Sequence, residues 1–469
     1  MYRQGLRPGQ APLKLFLGQK GCRAVSSKLP ICCSSTKLLQ DLPRVVLKAG
    51  KARFLGKGGH PLVFSGAVDR VVGRPAPVAG DAVIVADGAD APIAWGLFNP
   101  DSMYRVRIMQ AMHELAKSGH STPLSEQAVD VTALLQARII AAHQLRLSLQ
   151  LPSAHTNVYR LINSEGDRLS GLIVDVLNDQ IVVASTAAWA ERYRQEVERG
   201  LAEATGLSHI TWRRNEAMLR AEGLDATSGP EPTDDAPKAA KDAAEQNVRI
   251  CENGVQLVAS PLGQKTGFYA DQRDSRLLVR SLAVGKHVLD LYCYSGGFAL
   301  NAALGGAIST KGVDTSASAI DLARQNAQLN TWNGSAPEFL VQDAADYMKQ
   351  ELAASKAAAS SSSTRPDLII LDPPKLAPNR QSLNRALSHY RRLNTLAMTL
   401  LAPRGLLMTC SCSGAVAQSS SFLPMLQDAA TAAGRKITVL RVAGAASDHT
   451  LDPSCPEGAY LTNVLLAVA

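Results

Sequence analysis

The chain has 469 residues, of which 46% are hydrophobic and 19% are charged, and its formal net charge is +8. This length suffices for two or three domains with sizeable cores. No apolar run reaches about 18 residues, which argues against a transmembrane helix. The eight cysteines show no zinc-type Cys-x-x-Cys spacing. We therefore expect no membrane span, no metal site and no structural disulfide.

The first 40 residues differ from the rest of the chain in charge. They contain seven basic residues and no acidic residue, so the remainder is close to neutral. Overall charge is therefore a poor argument for RNA binding. A basic, acid-free segment of this kind is typical of a transit peptide. We expect a chloroplast or mitochondrial protein, with the chloroplast slightly favoured by the Ser, Cys and Lys content. The alternatives are a disordered basic tail that touches RNA, and a cytoplasmic location.

Short extended segments separated by Gly, Pro and Asp occupy residues 44–108. This pattern predicts a small β-barrel of ~70 residues. Lys48 and Arg53 belong to a basic cluster that precedes His60. The cluster is suited to contact phosphate, although a solvated basic face explains it equally well.

A small α+β domain is predicted over residues 126–221. It begins with an amphipathic helix near 126–150, and β-branched runs predict strands further on. Residues 222–247 lack apolar periodicity, which predicts a flexible linker or insertion.

Residues 248–469 alternate strand and helix patterns. Residues 286–301 (KHVLDLYCYSGGFALN) combine an apolar run, a glycine turn and a helix start, the first unit of a doubly wound α/β sheet. Later predicted strands end at Asp314, Asp343, Asp372 and the Ser-Cys-Ser run around Cys412. Ligands bind at such carboxyl ends. Residues 351–364 (ELAASKAAASSSST) are interpreted as a second, low-complexity insertion.

The cofactor of this sheet could be NAD or S-adenosylmethionine. The dinucleotide fingerprint GxGxxG is absent, because YSGGF lacks its first glycine. An Asp-Pro-Pro run beginning at Asp372 favours a methyltransferase. Asp314 suits a ribose, since a carboxylate accepts both hydroxyl protons. A generic α/β domain whose acids only cap turns is the alternative.

Three motifs together resemble one known family. Residues 260–276 (SPLGQKTGFYADQRDSR), 288–298 (VLDLYCYSGGF) and 372–375 (DPPK) are similar to the large-subunit ribosomal RNA cytosine-C5 methyltransferases that carry an N-terminal PUA domain. Residues 60–67 (HPLVFSGA) resemble that PUA domain, and residues 165–175 (EGDRLSGLIVD) resemble the middle domain.

The resemblance extends over residues 43–469 outside the two insertions, including a C-terminal signature from Asp448 to Leu461. It implies a PUA-like RNA-binding domain at 43–112 and a class I (Rossmann-like) S-adenosylmethionine-dependent methyltransferase domain at 248–469. It also implies that the partner is large-subunit rRNA and that C5 of a cytosine is methylated. Both a monomer and a homodimer fit the family.

The implied chemistry needs a thiolate. C5 of cytosine is a weak nucleophile until a thiolate adds to C6 of the flipped base. In the family the Ser-Cys-Ser motif carries this thiol, so Cys412 is the predicted nucleophile. Cys410 lies two residues earlier, points the same way in a strand and is an alternative, as is a purely structural role for both. Asp372 is predicted to hydrogen-bond the cytosine ring and supply charge or a proton, with a turn acid as its alternative.

The cofactor site is predicted at the strand ends and in the block before the first strand. Asp290 and the glycine turn should line the methionine end, Asp314 the ribose, and Asp343 the adenine amine. Phe268 suits stacking on a base, although core packing is an equal alternative. The residues predicted to bind the cofactor are Gln264, Phe268, Asp271, Arg273, Asp290, Tyr292, Ser295, Gly296, Gly297, Asp314, Asp343 and Asp372. Those predicted to meet RNA are Lys48, Arg53, His60, Lys265 and Lys375, and Arg273 is an alternative phosphate ligand.

Two other functions fit parts of the pattern. An enzyme that methylates a purine exocyclic amine would also place Asp-Pro-Pro at this strand end, without needing a cysteine. A non-catalytic RNA-binding assembly factor could retain the fold, although acids at four strand ends argue for intact cofactor binding.

Overall fold

The structure is a computed structural model that describes residues 37–55, 59–117, 127–224, 247–261, 267–357, 365–377 and 379–469. Most of the predicted transit peptide lies outside these ranges. Residues 37–40 do not fit that prediction, because Lys37–Leu38 form strand β1 and Leu39 is buried. No helix in the described ranges has the length and apolar character needed to cross a membrane.

The N-terminal domain is a six-stranded sheet around a small apolar core. Its strand order is β3-β7-β6-β5-β2-β4, and all neighbours are antiparallel except β2 and β5. Alternating valines fill the core, as in Val83 and Val85, which are both fully buried. The strands are β2 (Arg44–Leu47), β3 (Leu62–Phe64), β4 (Val68–Val72), β5 (Ala82–Ala86), β6 (Pro92–Phe98) and β7 (Tyr104–Ala111).

The middle domain is a four-stranded sheet, ordered β12-β11-β10-β9, packed against helices. It shares one hydrophobic core with the N-terminal domain, since Trp95 and Met109 pack in the same cluster as Ile139 and Leu161. The elements are α1 (Met112–Lys117), β8 (Ala128–Val129, paired with β1), α2 (Val131–Ser148), β9 (Val158–Asn163), β10 (Leu172–Leu177), β11 (Gln180–Ser185), α3 (Ala188–Arg192), α4 (Arg194–Thr205), β12 (His209–Arg214) and α5 (Glu216–Ala221).

The predicted linker begins too early. Glu222 is only 5% exposed and its Oε1 accepts a hydrogen bond from Arg107 Nη2 at 2.8 Å. Asn99 and Ser102 also donate to its carboxylate. Glu222 therefore fastens the middle domain to the N-terminal domain. Residues 225–246 lie outside the described ranges.

The C-terminal domain is a seven-stranded sheet with the order β17-β16-β15-β18-β19-β21-β20. Five strands run parallel and β21 runs antiparallel to both of its neighbours. This is the predicted class I methyltransferase fold. The strands are β13 (Val248–Glu252) and β14 (Val255–Ala259), which form a separate hairpin, then β15 (His287–Leu291), β16 (Ser309–Asp314), β17 (Glu338–Val341), β18 (Leu368–Leu371), β19 (Gly405–Ser411), β20 (Ile437–Ala443) and β21 (Thr462–Val468). The helices are α6 (Arg273–Leu282), α7 (Gly297–Leu304), α8 (Ala317–Gln328), α9 (Ala344–Ala357), α10 (Leu383–Leu400), α11 (Gly414–Ala417) and α12 (Phe422–Ala432).

The strand order fixes where a ligand can bind. The chain moves outward from β15 to β16 and β17, then returns to the other side of β15 with β18 and β19. The carboxyl ends of β15 and β18 therefore border a topological switch point, the usual ligand crevice of open α/β sheets. The predicted insertion at 351–364 is also corrected, because α9 continues to Ala357. Residues 358–364 lie outside the described ranges.

Candidate active site

Cys412 and Asp372 meet at the carboxyl ends of two neighbouring parallel strands. Strand β18 ends one residue before Asp372, and β19 ends one residue before Cys412. Cys412 Sγ lies 3.7 Å from Asp372 Oδ1, and both residues are partly exposed. Cys410 is 0% exposed, and burial raises the pKa of its thiol well above the ordinary value. Of the two cysteines, Cys412 is the one that a substrate can reach.

The two serines beside Cys412 hold it in place. Ser411 Oγ hydrogen-bonds the hydroxyl of Tyr390, on α10, at 3.0 Å. Ser413 Oγ accepts a hydrogen bond from the backbone N–H of Ala377 at 3.1 Å. Both serines are fully buried. The thiol therefore sits between two anchored residues and has little freedom to leave Asp372.

Gln272 contacts Asp372 from the opposite side. It ends a short 3-10 turn, Ala270–Gln272, that leads into α6. Its Nε2 donates to Asp372 Oδ2 at 3.0 Å, while its Oε1 accepts from Asn463 Nδ2 at 2.9 Å. Asn463 also donates to Ser275 Oγ at 2.7 Å. These bonds fix which way the Gln272 amide faces. The resemblance places Gln272 in the block beside the cofactor and substrate, but no sequence pattern indicates its contact with Asp372.

Asp271 and Arg273, the neighbours of Gln272, have partners within the protein. Asp271 Oδ2 accepts from the Tyr460 hydroxyl at 2.7 Å. The Arg273 guanidinium forms two hydrogen bonds to Asp448, at 2.8 and 3.0 Å, and these two residues are 5% and 0% exposed. Arg273 was predicted to line the cofactor site or bind phosphate. Its donors are instead directed at a buried carboxylate.

The Arg273–Asp448 pair is a junction between domains. Asp448 Oδ2 also accepts from the backbone N–H of Arg160 in the middle domain at 2.8 Å. Burial alone would raise the pKa of Asp448, but hydrogen bonds and positive charge from His449 and Arg273 outweigh it and hold that pKa well below its usual range.

Phe268 belongs to the core. It is buried, it packs in a cluster with residues of β13 and β14, and the Arg276 guanidinium lies 5.0 Å from its ring centre. Arg276 is itself held by Glu252 at 2.5 and 2.6 Å. The packing alternative therefore describes Phe268 better than stacking on a base. Gln264 and Lys265 lie outside the described ranges.

The glycine turn at Gly296 and Gly297 is closely packed and follows the carboxyl end of β15. Gly296 has φ +83°, and a Cβ at this position would lie 2.8 Å from the Phe339 ring. The turn continues into α7, whose Ala299 N–H donates to Asp290 Oδ2 at 3.0 Å. Asp290 is 1% exposed, and its Oδ1 has no hydrogen-bond partner among the described residues. Burial raises the pKa of Asp290 to about 8.

The other predicted cofactor residues surround this turn. Asp314 accepts from the backbone N–H groups of Tyr294 and Ser316, at 3.0 and 2.9 Å. Ser295 is buried in the turn, and the backbone of Tyr292 is left-handed, with φ +64°. Asp343 Oδ1 accepts two backbone N–H bonds at the start of α9. One oxygen of Asp343 thus has a structural role.

The predicted RNA contacts lie in two places. Lys48 and Arg53 are exposed on the N-terminal domain, and Lys48 Nζ donates to the carbonyl of Gly66 at 3.0 Å. Lys375 is exposed just after Asp372 and its two prolines. His60 does not face outward as expected, because its Nε2 lies 3.2 Å from Glu457 Oε2 in the C-terminal domain.

Comparison with known proteins identifies the architecture. Residues 45–111 match the family model of a PUA-like domain, and residues 233–461 match that of S-adenosylmethionine-dependent methyltransferases. The chain is 34% identical over 419 residues to ribosomal RNA large subunit methyltransferase I of Erwinia tasmaniensis, which covers 89% of this chain and 97% of that protein. The chain belongs to this methyltransferase family. The relative of the same name from Tolumonas auensis is 34% identical over 417 residues, covering 87% and 95% of the two chains.

Solved structures share the fold. The methyltransferase SMU.776 in complex with SAH has a TM-score of 0.69 at 19% identity and covers 90% of this chain and 99% of its own. A methyltransferase from Streptococcus mutans has a TM-score of 0.67, with the same identity and coverage. These comparisons confirm the predicted PUA-like domain, the class I fold and the S-adenosylmethionine cofactor.

The residues at the switch point suit this cofactor. S-adenosylmethionine carries a sulfonium and an ammonium group. The buried Asp290 carboxyl, whose Oδ1 has no hydrogen-bond partner among the described residues, can lose its proton and present a negative charge to such a ligand. Glycine at position 296 lets the turn pack closely against Phe339, since a Cβ there would collide with the Phe339 ring. Asp290, the glycine turn and Asp314 are the residues that would hold the cofactor.

Proposed function

We propose that this chain methylates C5 of a cytosine in large-subunit ribosomal RNA, with Cys412 as nucleophile and Asp372 as its proton partner. The observation that carries the proposal is the 3.7 Å contact between Cys412 Sγ and Asp372 Oδ1 at the sheet's ligand-binding edge. An enzyme that methylates an exocyclic amine has no need for a thiol at this place. The names of the relatives support RNA as the substrate.

The side chains can perform the addition step as a pair. The Cys412 proton passes to the Asp372 carboxylate as the sulfur attacks C6 of the cytosine. Asp372 then delivers that proton to N3, which absorbs the electrons displaced from the ring. The result is an enamine whose C5 is nucleophilic.

Completion of the reaction restores the thiol pair. S-adenosylmethionine, when bound, supplies an electrophilic methyl group. After C5 has gained the methyl, a base removes the C5 proton and the C5–C6 double bond forms again. The electrons of the C6–S bond return to sulfur as a thiolate, and N3 gives its proton back to Asp372. Asp372 returns that proton to Cys412, and the base releases the C5 proton to solvent. The anchored serines on either side of Cys412 keep the sulfur in place throughout.

RNA recognition is assigned to exposed basic residues. Lys375 lies next to Asp372 and suits a phosphate near the target base, while Lys48 and Arg53 suit phosphates further along the strand.

The proposed location is the chloroplast or mitochondrion, which the basic, acid-free start of the sequence supports.

The test is a methyl-transfer assay on unmodified large-subunit rRNA from organelles and bacteria, with the product nucleoside identified by mass spectrometry. We expect 5-methylcytidine with wild type and none with Cys412→Ala. Cys410→Ala tests the neighbouring thiol, and Cys251→Ala, at another partly exposed cysteine, is the matched control. Both should remain active.

A second assay traps the covalent step. RNA containing 5-fluorocytidine cannot lose its C5 substituent as a proton, so wild type should remain attached to it on a denaturing gel. Cys412→Ala should form no adduct. A methylated purine, or activity retained by Cys412→Ala, would contradict the proposal and favour the amine-methylating alternative.

A further inference from the structure

Three side chains with metal-binding atoms converge where the N-terminal and C-terminal domains meet. His60 precedes β3, whereas Cys455 and Glu457 lie at a 3-10 turn, Pro456–Gly458, before β21. Their ligand atoms all lie within 4.8 Å of one another, and His60 Nε2 is 3.2 Å from Glu457 Oε2. Within the described ranges, no other group of three His, Cys, Asp or Glu side chains comes together in this way.

The donor set is a familiar one for zinc. Zn²⁺ binds thiolate, imidazole and carboxylate groups at about 2.0–2.3 Å in tetrahedral geometry, so its ligand atoms lie roughly 3.3–3.8 Å apart. The His60–Glu457 distance is already close to this value. An approach of the remaining atoms by about 1 Å would complete three corners of the tetrahedron.

The environment of His60 fixes which nitrogen faces the junction. Its Nδ1 lies 3.2 Å from the backbone nitrogen of Leu62 and 3.3 Å from the Leu62 carbonyl oxygen. In the metal-free chain the Leu62 N–H can donate to Nδ1. Metal binding would use the other tautomer, in which Nδ1–H donates to the Leu62 carbonyl and Nε2 offers its lone pair to the junction. Metal-binding histidines are commonly oriented by such a bond.

Negative charge surrounds the junction. Cys455 is 2% exposed, and the carboxylates of Glu165, Glu457 and Asp452 lie near its thiol. Arg168, which lines the neighbouring cavity, directs its Nη2 at the Glu114 carboxylate, at 2.7 and 2.8 Å. A dication bound by His60, Cys455 and Glu457 would be attracted by these carboxylates.

A cavity borders the junction at His60. It has a volume of about 420 Å³ and is lined by His60, Glu165, Asp452 and neighbouring residues. Water from this cavity can supply a fourth ligand. We propose that His60, Cys455 and Glu457 bind one Zn²⁺, which joins the PUA-like domain to the methyltransferase domain.

No metal site is evident in the sequence, because zinc-type spacing patterns join ligands that are close in sequence. His60 and Cys455 are almost 400 residues apart, so only the fold brings them together. The proposal does not depend on which base is methylated.

The experiment is a Co²⁺ titration of the full-length, reduced, metal-depleted chain, followed by displacement with Zn²⁺. A bound thiolate gives a sulfur-to-cobalt charge-transfer band in the near ultraviolet. The variants are Cys455→Ser, His60→Gln and Glu457→Gln, and Cys251→Ser is the matched control. Apart from Cys251 in the control, the cysteines elsewhere in the chain are common to all variants, so a difference between Cys455→Ser and the control reports the junction.

Wild type and Cys251→Ser should each bind one more ion than Cys455→Ser, and should show a charge-transfer band that Cys455→Ser lacks. His60→Gln and Glu457→Gln should bind that ion at least about tenfold more weakly. Each variant's circular dichroism and S-adenosylmethionine affinity should match wild type, which separates ligand loss from misfolding. Equal stoichiometry and equal spectra in wild type and Cys455→Ser would overturn the proposal, leaving the three side chains as a hydrogen-bonded contact between domains.

Discussion

Replacing Gln272 by leucine would remove the donor that holds one oxygen of Asp372. The hydrogen bond is 3.0 Å long, its donor is buried and its acceptor is a carboxylate. Hydrogen bonds to charged groups contribute about 1.5–3 kcal/mol. Asp372 is partly exposed, so we expect the lower half of that range, which corresponds to a loss of about 10- to 50-fold in kcat/KM.

The fold itself should tolerate this change. Asn463 loses the Gln272 acceptor but still donates to Ser275 Oγ at 2.7 Å. The free energy of unfolding should therefore fall by only about 1 kcal/mol. S-adenosylmethionine affinity should stay near the wild-type value, because Gln272 faces Asp372 rather than the glycine turn.

Gln272→Glu tests the same contact with Asp372 through the pH dependence of kcat/KM. It would place a second carboxylate about 3 Å from Asp372, and two such groups cannot both ionise. The pair would keep a proton, so the rising limb of kcat/KM against pH should move to higher pH. Gln136 provides the matched control, because its Nε2 also donates to a carboxylate, that of Glu203, at 2.6 Å on an exposed surface.

The assay is the pH profile of methyl transfer for Gln272→Leu, Gln272→Glu, and the same two substitutions at Gln136. If both Gln272 variants showed wild-type rates and an unshifted rising limb of kcat/KM against pH, the idea that the Gln272 amide positions Asp372 would be refuted. Equal shifts in the Gln136 variants would show that the effect does not come from the active site.

Three further perturbations probe the rest of the site. Because burial raises the pKa of Asp290 to about 8, a cationic cofactor should release a proton on binding; calorimetry in two buffers should detect this release, and affinity should increase as pH rises towards 8. By the same linkage the cofactor-free chain should lose stability as pH rises through about 8. Arg273→Met leaves Asp448 buried without its guanidinium partner and should cost about 3–5 kcal/mol in urea unfolding. Gly296→Ala places a methyl 2.8 Å from the Phe339 ring and should cost about 2–4 kcal/mol and weaken cofactor binding.

Each of these has a control within the chain. Asp290→Asn should abolish the proton release; release that persists would assign it to another group. Arg324→Met breaks an exposed ion pair with Asp321 and should cost less than about 1 kcal/mol. Gly254 has φ +82° with open space around it, so Gly254→Ala measures the backbone strain alone. An equal loss for the two alanine variants would mean that Phe339 does not matter.

The meeting of Cys412 and Asp372 could be predicted from the sequence for a topological reason. Both follow short apolar runs typical of buried parallel strands, and the carboxyl ends of such strands share one edge of the sheet. The choice between Cys412 and Cys410 could not be made by periodicity, since both lie on one face. The choice depends on where the strand ends. Strand β19 ends at Ser411, so Cys410 lies inside the strand and Cys412 follows it.

The errors at the two insertions have a different origin. Residues 351–357 were judged by their low complexity, although alanine is the strongest helix former and continues α9. Glu222 was grouped with a polar stretch, and its role depends on Arg107, more than 100 residues earlier. The Gln272–Asp372 contact is likewise set by how α6 docks on the sheet, which no local pattern encodes.

The Arg273–Asp448 pair bears on any attempt to use the catalytic domain alone. Two residues of the middle domain hydrogen-bond Asp448. The backbone N–H of Arg160 donates to its Oδ2, and the Arg146 guanidinium donates to its backbone carbonyl at 2.6 Å. Residue 273 adjoins the glutamine that holds Asp372, so a truncation that removed the middle domain would loosen the segment next to the active site. Grafting this methyltransferase onto another RNA-binding module would therefore have to carry α2 and β9 along with it.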